Sequence, residues 1–198
     1  MQVQWLKNSL NYTKIFKTML PYRYYRLFNF LTKEKTMEGI RIGFISDTHN
    51  LLREEVIEEI KKCNYIIHAG DISNEETYLA LNDIGNITFV RGNNDKDEWA
   101  KGLNKSEVVE IDGFKIYVVH DIKDLPKKLE SVDLVVFGHS HKYFYEEVNG
   151  VIFLNPGSCG KKRFSLPLSF AIGILEQNRI KIINMIYKLE LICYNNYY

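Results

Sequence analysis

The chain of 198 residues carries 26 Lys/Arg against 25 Asp/Glu, with 45% apolar and 26% charged residues. That is enough for one substantial core and a squeeze for two full domains, and the balance is ordinary for a soluble globular protein. The charge is split, +6 over residues 1–36 and −5 over the rest, which leaves the main body without the basic surface that long nucleic acid needs.

Three cysteines, Cys63, Cys159 and Cys193, are odd in number, far apart and free of C-x-x-C spacing. Neither a disulfide framework nor a zinc ribbon is supported, and a reducing, cytoplasmic location is expected. No run approaches the roughly 18–20 apolar residues of a membrane helix, so no transmembrane segment is expected, and the start lacks the apolar region of a secretory signal.

Residues 1–36 form a basic, aromatic-rich leader interrupted by Pro21. It reads either as untranslated, with the start at Met37, or as a loosely ordered extension. The alternative is a basic amphipathic segment that rests on a membrane surface or a partner. The domain itself is expected over residues 37–190. "IRIGFIS" predicts a buried strand, and "LLREEVIEEIKK" a helix with Leu52, Val56 and Ile60 on one face. "YIIHAG" predicts the next strand, and Ser73 with Glu76 a capping box that opens a helix through Leu81. "NITFVRG" predicts a third strand. Near-continuous apolar strands alternating with helices predict parallel pairing in an α/β layer.

The second half changes character. Asp112-Gly113 inside "EVVEIDGFKIYVVH" and Asn149-Gly150 inside "KYFYEEVNGVIFLN" predict two tight hairpins. "LSFAIGILEQNRIKIINMI" reads as a last hairpin, and the tail is uninformative. A sheet system that begins parallel and ends antiparallel predicts a two-sheet sandwich with helices outside.

Each apolar strand ends in a metal-capable side chain: Asp47 with His49, then Asp71, Asn93, His120, and His139 with His141. Strands of an open α/β sheet deliver their carboxyl ends to one edge. Two carboxylates, one amide and four imidazoles gathered there are costly unless something satisfies them. Seven donors with no thiolate exceed one tetrahedral zinc and fit two borderline-hard divalent ions. One ion takes Asp47, His49, Asp71 and His141; the other takes Asp71, Asn93, His120 and His139, with Asp71 bridging. Strand alternation is expected to point His139 and His141 the same way, one to each ion, with Ser140 facing away. Two dications, two carboxylates and a bridging hydroxide leave about +1 over the site, which suits a phosphate ester.

With those residues in place, the stretch from about Arg41 to Met185 resembles the calcineurin-like metallophosphoesterases, and within them the small prokaryotic phosphodiesterases. The matching blocks are "SDTHN", "HAGDIS", "VRGNNDKD", "VVHD", "FGHSHK" and "NPGSCGKKRFSLPLSFAI". The resemblance implies a four-layer α/β/β/α sandwich of two mixed sheets flanked by helices. It also implies a dinuclear centre, commonly with Mn2+ and with Ni2+, Zn2+, Fe2+ or Mg2+ as alternatives, and Asp71, Asn93 and His120 at the catalytic step. Asn94 stands where many members place a histidine beside the leaving group, and is expected to face substrate. Asp121 and Ile122 replace the glycine and second histidine of an H-G-H pattern.

The function expected is hydrolysis of phosphodiesters or phosphomonoesters, on a small soluble ester or nucleotide, by a metal-bridging hydroxide. A catalytically weak, partner-binding scaffold is the alternative, and a nuclease for long DNA a third reading that the acidic body opposes. Homo-oligomerisation stays open. Lys161, Lys162 and Arg163 read most simply as a solvated loop, with Arg163 or Arg91 as the candidate phosphate contact. His68 is expected in the core or supporting the ligands, the Asn155–Ser158 turn beside the metals, and Cys159 has no histidine pattern to make it a nucleophile.

Overall fold

The computed structural model describes residues 39–163 and 165–187. The leader and the last residues of the tail lie outside them, and with them the expectations for residues 1–36 and for Cys193. Among the described residues no helix is long and apolar enough to cross a membrane.

The first sheet is built from β1 (Ile40–Ile45), β2 (Tyr65–His68), β3 (Ile87–Phe89), β9 (Leu168–Glu176) and β10 (Arg179–Tyr187), in the order β10-β9-β1-β2-β3. β1 pairs β2, and β2 pairs β3, in parallel, while β9 closes antiparallel on both β1 and β10. The second sheet contains β4 (Ser106–Ile111), β5 (Phe114–Val119), β6 (Leu134–Val136), β7 (Phe144–Val148) and β8 (Val151–Asn155), in the order β4-β5-β6-β8-β7. It is also mixed: β5, β6 and β8 run parallel, with antiparallel strands at both edges. The expected run from parallel to antiparallel is therefore resolved as two mixed sheets.

Alternation decides what each face buries. Ile42 and Phe44 of β1, Ile67 of β2, Ile116 and Val118 of β5, and Leu134 and Val136 of β6 meet in one core between the sheets. Ile45, Ile66 and Phe89 point the other way and pack under Val56, Ile60 and Leu81. Those last three come from helices α1 (Glu54–Ile60) and α2 (Glu75–Asn82). On the outer face of the second sheet, Val119, Val135 and Phe137 are covered by Leu125, Leu129 and Val132. That segment opens with a 3-10 turn, Ile122–Asp124, so among the described residues the fourth layer is a turn and loop rather than an α-helix.

The expected capping box is corrected. Asn74, not Ser73, caps α2, its Oδ1 accepting from the Thr77 amide at 3.0 Å. Ser73 has a left-handed backbone, φ 77°, and its hydroxyl lies 3.1 Å from His49 Nδ1, so the site uses the group the helix was expected to use.

Candidate metal centre

Parallel register carries the ends of β1, β2 and β3 to one rim, and those of β5 and β6 to the same rim from the other sheet. Asp47 and His49 come after β1, Asp71 after β2 and Asn93 after β3, while His120 comes after β5 and His139 and His141 after β6. All seven come together. Asp47, His49 and His141 offer ligand atoms within 4.8 Å of one another, and so do Asp47, Asp71 and His120.

Around the first cluster, His141 Nε2 lies 3.3 Å and His49 Nε2 3.8 Å from Asp47 Oδ1. The two ring nitrogens face each other at 3.2 Å across stacked imidazoles. Around the second, His120 Nε2 lies 3.4 Å from Asp71 Oδ1 and 3.1 Å from Asn93 Oδ1. His139 Nδ1 lies 2.9 Å from the same Asn93 oxygen. Asp47 belongs to both groups, and Asp71, of the second, also reaches toward the first, its Oδ2 3.7 Å from His49 Nε2.

The donor chemistry fits divalent cations. Asp47 is fully buried, and its Oδ1 has no hydrogen-bond partner; a buried carboxylate oxygen left so is strongly disfavoured. His120 Nδ1 lies 2.7 Å from the Ala69 carbonyl, to which it donates. In the neutral ring Nε2 is then a lone pair aimed at two oxygen acceptors, an arrangement that a cation among the three atoms makes favourable.

Electrostatics agree. Burial pushes the Asp47 carboxyl up to about 7. Burial also works against ionised Asp71, but His120 beside it and the two Asn94 donors hold it well below the usual carboxylate range. His120 is pushed down by burial and pulled further up, to about 9, by Asp71 and Asp47. Burial lowers His141 to about 4, helped by the repulsion that a protonated His49 beside it would add and by the Arg163 charge. The rim calls for positive charge and, at the His49–His141 end, keeps the imidazoles neutral as metal ligation requires.

The route by which His139 and His141 reach separate clusters differs from expectation. The segment after Val136 is not extended: both histidines have left-handed backbones, φ 66° and 59°. Asp47, His49 and Asp71 do as well, at 55°, 45° and 60°. Such angles disfavour ordinary residues and gather where surroundings over-determine them. Asn155, fully buried, clamps this turn by donating to the Gly138 carbonyl at 2.6 Å and to Ser140 Oγ at 3.0 Å. Ser158 Oγ donates to the Asp47 carbonyl at 2.9 Å.

The surrounding residues divide into supports and rim. His68 is fully buried: Gly70 N–H donates to its Nδ1, Nε2 lies 3.1 Å from Thr48 Oγ1, and burial lowers it to about 3. It is a neutral core histidine. Burial pushes the Cys159 thiol up to about 12, which removes it as a nucleophile. Asn94 donates to Asp71 from its backbone at 2.8 Å and from its side chain at 2.6 Å. Lys161, Lys162 and Arg163 are exposed. Ile122 is 38% exposed and brings no ligand to the rim.

Asp95 is a support that reading the sequence missed. It is 3% exposed, and its carboxylate accepts from the amides of Asp71 at 3.0 Å, Gly92 at 2.8 Å and Ser73 at 2.7 Å. Its only signal was an acid two residues beyond Asn93.

A two-sheet α/β sandwich with imidazole, carboxylate and amide donors converging on one rim defines a metal-binding protein with a hydrolytic type of centre. The chain belongs to the calcineurin-like phosphoesterase superfamily, whose domain matches residues 40–178. A probable metallophosphoesterase of Methanocaldococcus jannaschii is 30% identical over 157 residues, 72% of this chain and 80% of that one. A phosphodiesterase from the same archaeon is 29% identical over 160 residues, 71% of this chain and 95% of the relative. A solved archaeal phosphodiesterase superposes with a TM-score of 0.61 at 26% identity, covering 73% of this chain and 99% of its own. Vps29 of Chaetomium thermophilum, 17% identical with a TM-score of 0.59 over 75% of this chain and 97% of its own, shares the fold.

Proposed function

We propose that the protein is a dinuclear metal-dependent phosphoesterase acting on phosphodiesters, with phosphomonoesters as secondary substrates. The observation that carries this reading is that all seven candidate ligands meet at one rim, with Asp71 reaching toward both clusters. Asp47, His49, Asp71 and His141 would hold one ion; Asp71, Asn93, His120 and His139 the other, Mn2+ being our choice for both. Bound there, the pair of ions supplies a nucleophilic water of lowered pKa and neutralises phosphoryl charge.

The chain's own residues do the rest. Asn93, through its side-chain oxygen, and His120 set the distance between the second cluster and the bridging Asp71. Asn94 holds Asp71 with one amide hydrogen and keeps the other for a phosphoryl oxygen. Burial chiefly lowers the protonation of His49 and His141, the Arg163 charge adds to it, and from that side Arg163 can meet the anionic ester. With no histidine at position 94, leaving groups that need no proton are favoured, because general acid help is typically worth 10²–10⁴-fold. The acidic body favours small soluble esters or nucleotides over long nucleic acid, and three cysteines outside any framework favour the cytoplasm. We also assign the domain to residues 37–190.

Purified protein given Mn2+ is expected to hydrolyse bis(p-nitrophenyl) phosphate, to lose that activity with EDTA, and to lose at least ~10²-fold on His120→Ala. Absence of turnover with every divalent ion tried, together with partner binding that survives His120→Ala, would establish the scaffold alternative instead.

A further inference from the structure

Asp121 is the neighbour of His120 in the chain and belongs to neither ligand cluster. Its place is fixed by the second sheet. β5 and β6 run parallel with Tyr117 beside Val135 and Val118 beside Val136, and the Gly138 amide extends that ladder by donating to the His120 carbonyl at 2.9 Å. That hydrogen bond brings Asp121, next in the chain after His120, close to His139, next after Gly138. Asp121 Oδ2 lies 3.7 Å from His139 Nε2. Its other oxygen accepts from the Lys123 amide at 3.1 Å, capping the 3-10 turn and holding the carboxylate still.

His139 is the least enclosed of the four imidazoles, so packing alone fixes its ring least. Its side chain is 45% exposed, whereas those of His49, His120 and His141 are 8%, 6% and 6% exposed. His120 Nδ1 is tied to the Ala69 carbonyl and His49 Nδ1 to Ser73. His139 presents Nδ1 to the second cluster, 2.9 Å from Asn93 Oδ1. To ligate through Nδ1 the ring must carry its proton on Nε2, the nitrogen that faces Asp121. Both groups line a recess of about 170 Å³ beside Arg91, Asn93, Lys105 and His120.

We propose that Asp121 is the positioning residue of the second metal cluster: its carboxylate keeps the His139 proton on Nε2, so that Nδ1 is free to ligate, and adds negative charge beside the cation. Partners hydrogen-bonded to a ligand imidazole are typically worth 10–100-fold in metal affinity; at 3.7 Å Asp121 acts on His139 through its charge, at the lower end of that range. The inference rests on the dinuclear reading of the centre.

Calorimetric titration of the metal-free full chain with Mn2+ tests both. Wild type is expected to bind two ions. Asp121→Asn keeps the capping oxygen and the shape but loses the charge. It is expected to weaken the second ion by ~10-fold or more while leaving the first within twofold, and Asp121→Ala at least as much. A role confined to capping the turn predicts full rescue by asparagine, so wild-type second-ion affinity in Asp121→Asn overturns the inference while leaving the dinuclear centre intact. Wild-type protein that takes up no second ion overturns the dinuclear reading itself, and this inference with it.

Discussion

Asp95 shows how a side chain that touches no ligand atom can govern a site. Its carboxylate receives the amides of Asp71, Ser73 and Gly92, so one buried acid sets the backbone of two rim segments at once. No carbon can be added at Gly92 beneath it, because a Cβ there would collide with the Asp71 amide and Oδ1. Hydrogen bonds to a buried charge contribute about 1.5–3 kcal/mol each, and an unmade one leaves a costly orphan. Asp95→Asn puts an NH2 group where one of these amides now donates, so donor faces donor. It is expected to lower unfolding stability by about 2–4 kcal/mol, read from the urea midpoint with unchanged slope, and to weaken Mn2+ binding through the displaced Asp71. A midpoint within error of wild type would show that Asp95 is not the anchor of this loop.

Elements are held to their lengths by local chemistry, and the hairpins show it best. Asp112-Gly113 and Asn149-Gly150 both adopt paired positive φ, 50° with 78° and 52° with 81°, as a type I′ turn requires. The β9–β10 turn makes the same demand of Gln177 and Asn178, at 48° and 62°, without a glycine to relieve it. A left-handed backbone costs an ordinary residue about 1–2 kcal/mol. The double change Gln177→Asn with Asn178→Gly is therefore expected to stabilise by about 1 kcal/mol, raising Tm by about 2–4 °C in a thermal melt. A lowered Tm would mean that the Gln177 side chain contributes more than its backbone strain costs. These turns also mark what was legible in the sequence. Asp-Gly and Asn-Gly announced two hairpins, and apolar runs ending at Asp47, Asp71, Asn93, His120 and His139 announced the rim, because both signals are local. The bent Gly138–His141 segment was not legible, since Asn155, distant in sequence, imposes it. Nor was the cap at Asn74, since Ser73 looks as good a cap until His49 is seen beside its hydroxyl.

At the scale of the whole molecule the rim is where the two sheets are tied. Asp47, His49, Asp71 and Asn93 descend from the first sheet, His120, His139 and His141 from the second, and each candidate ligand group draws donors from both. Apolar packing between the sheets is non-directional; a cation held by both sheets is a directional link that the unfolded chain does not offer. A ligand that binds only the folded state adds RT ln(1 + [L]/Kd), about 2.7 kcal/mol at a hundredfold excess over Kd. Each kcal/mol is worth about 2–4 °C in a chain of this size, so saturating Mn2+ is expected to raise Tm by roughly 5–10 °C over protein in EDTA. The gain should keep growing with the logarithm of metal concentration past saturation, as linkage requires. His49→Ala with His120→Ala removes one donor from each sheet and should abolish the shift, although the apolar core between the sheets is untouched. Were the doubly substituted protein to gain as much as wild type, the ions would be binding elsewhere, and the rim would have lost its claim to join the two halves of the sandwich.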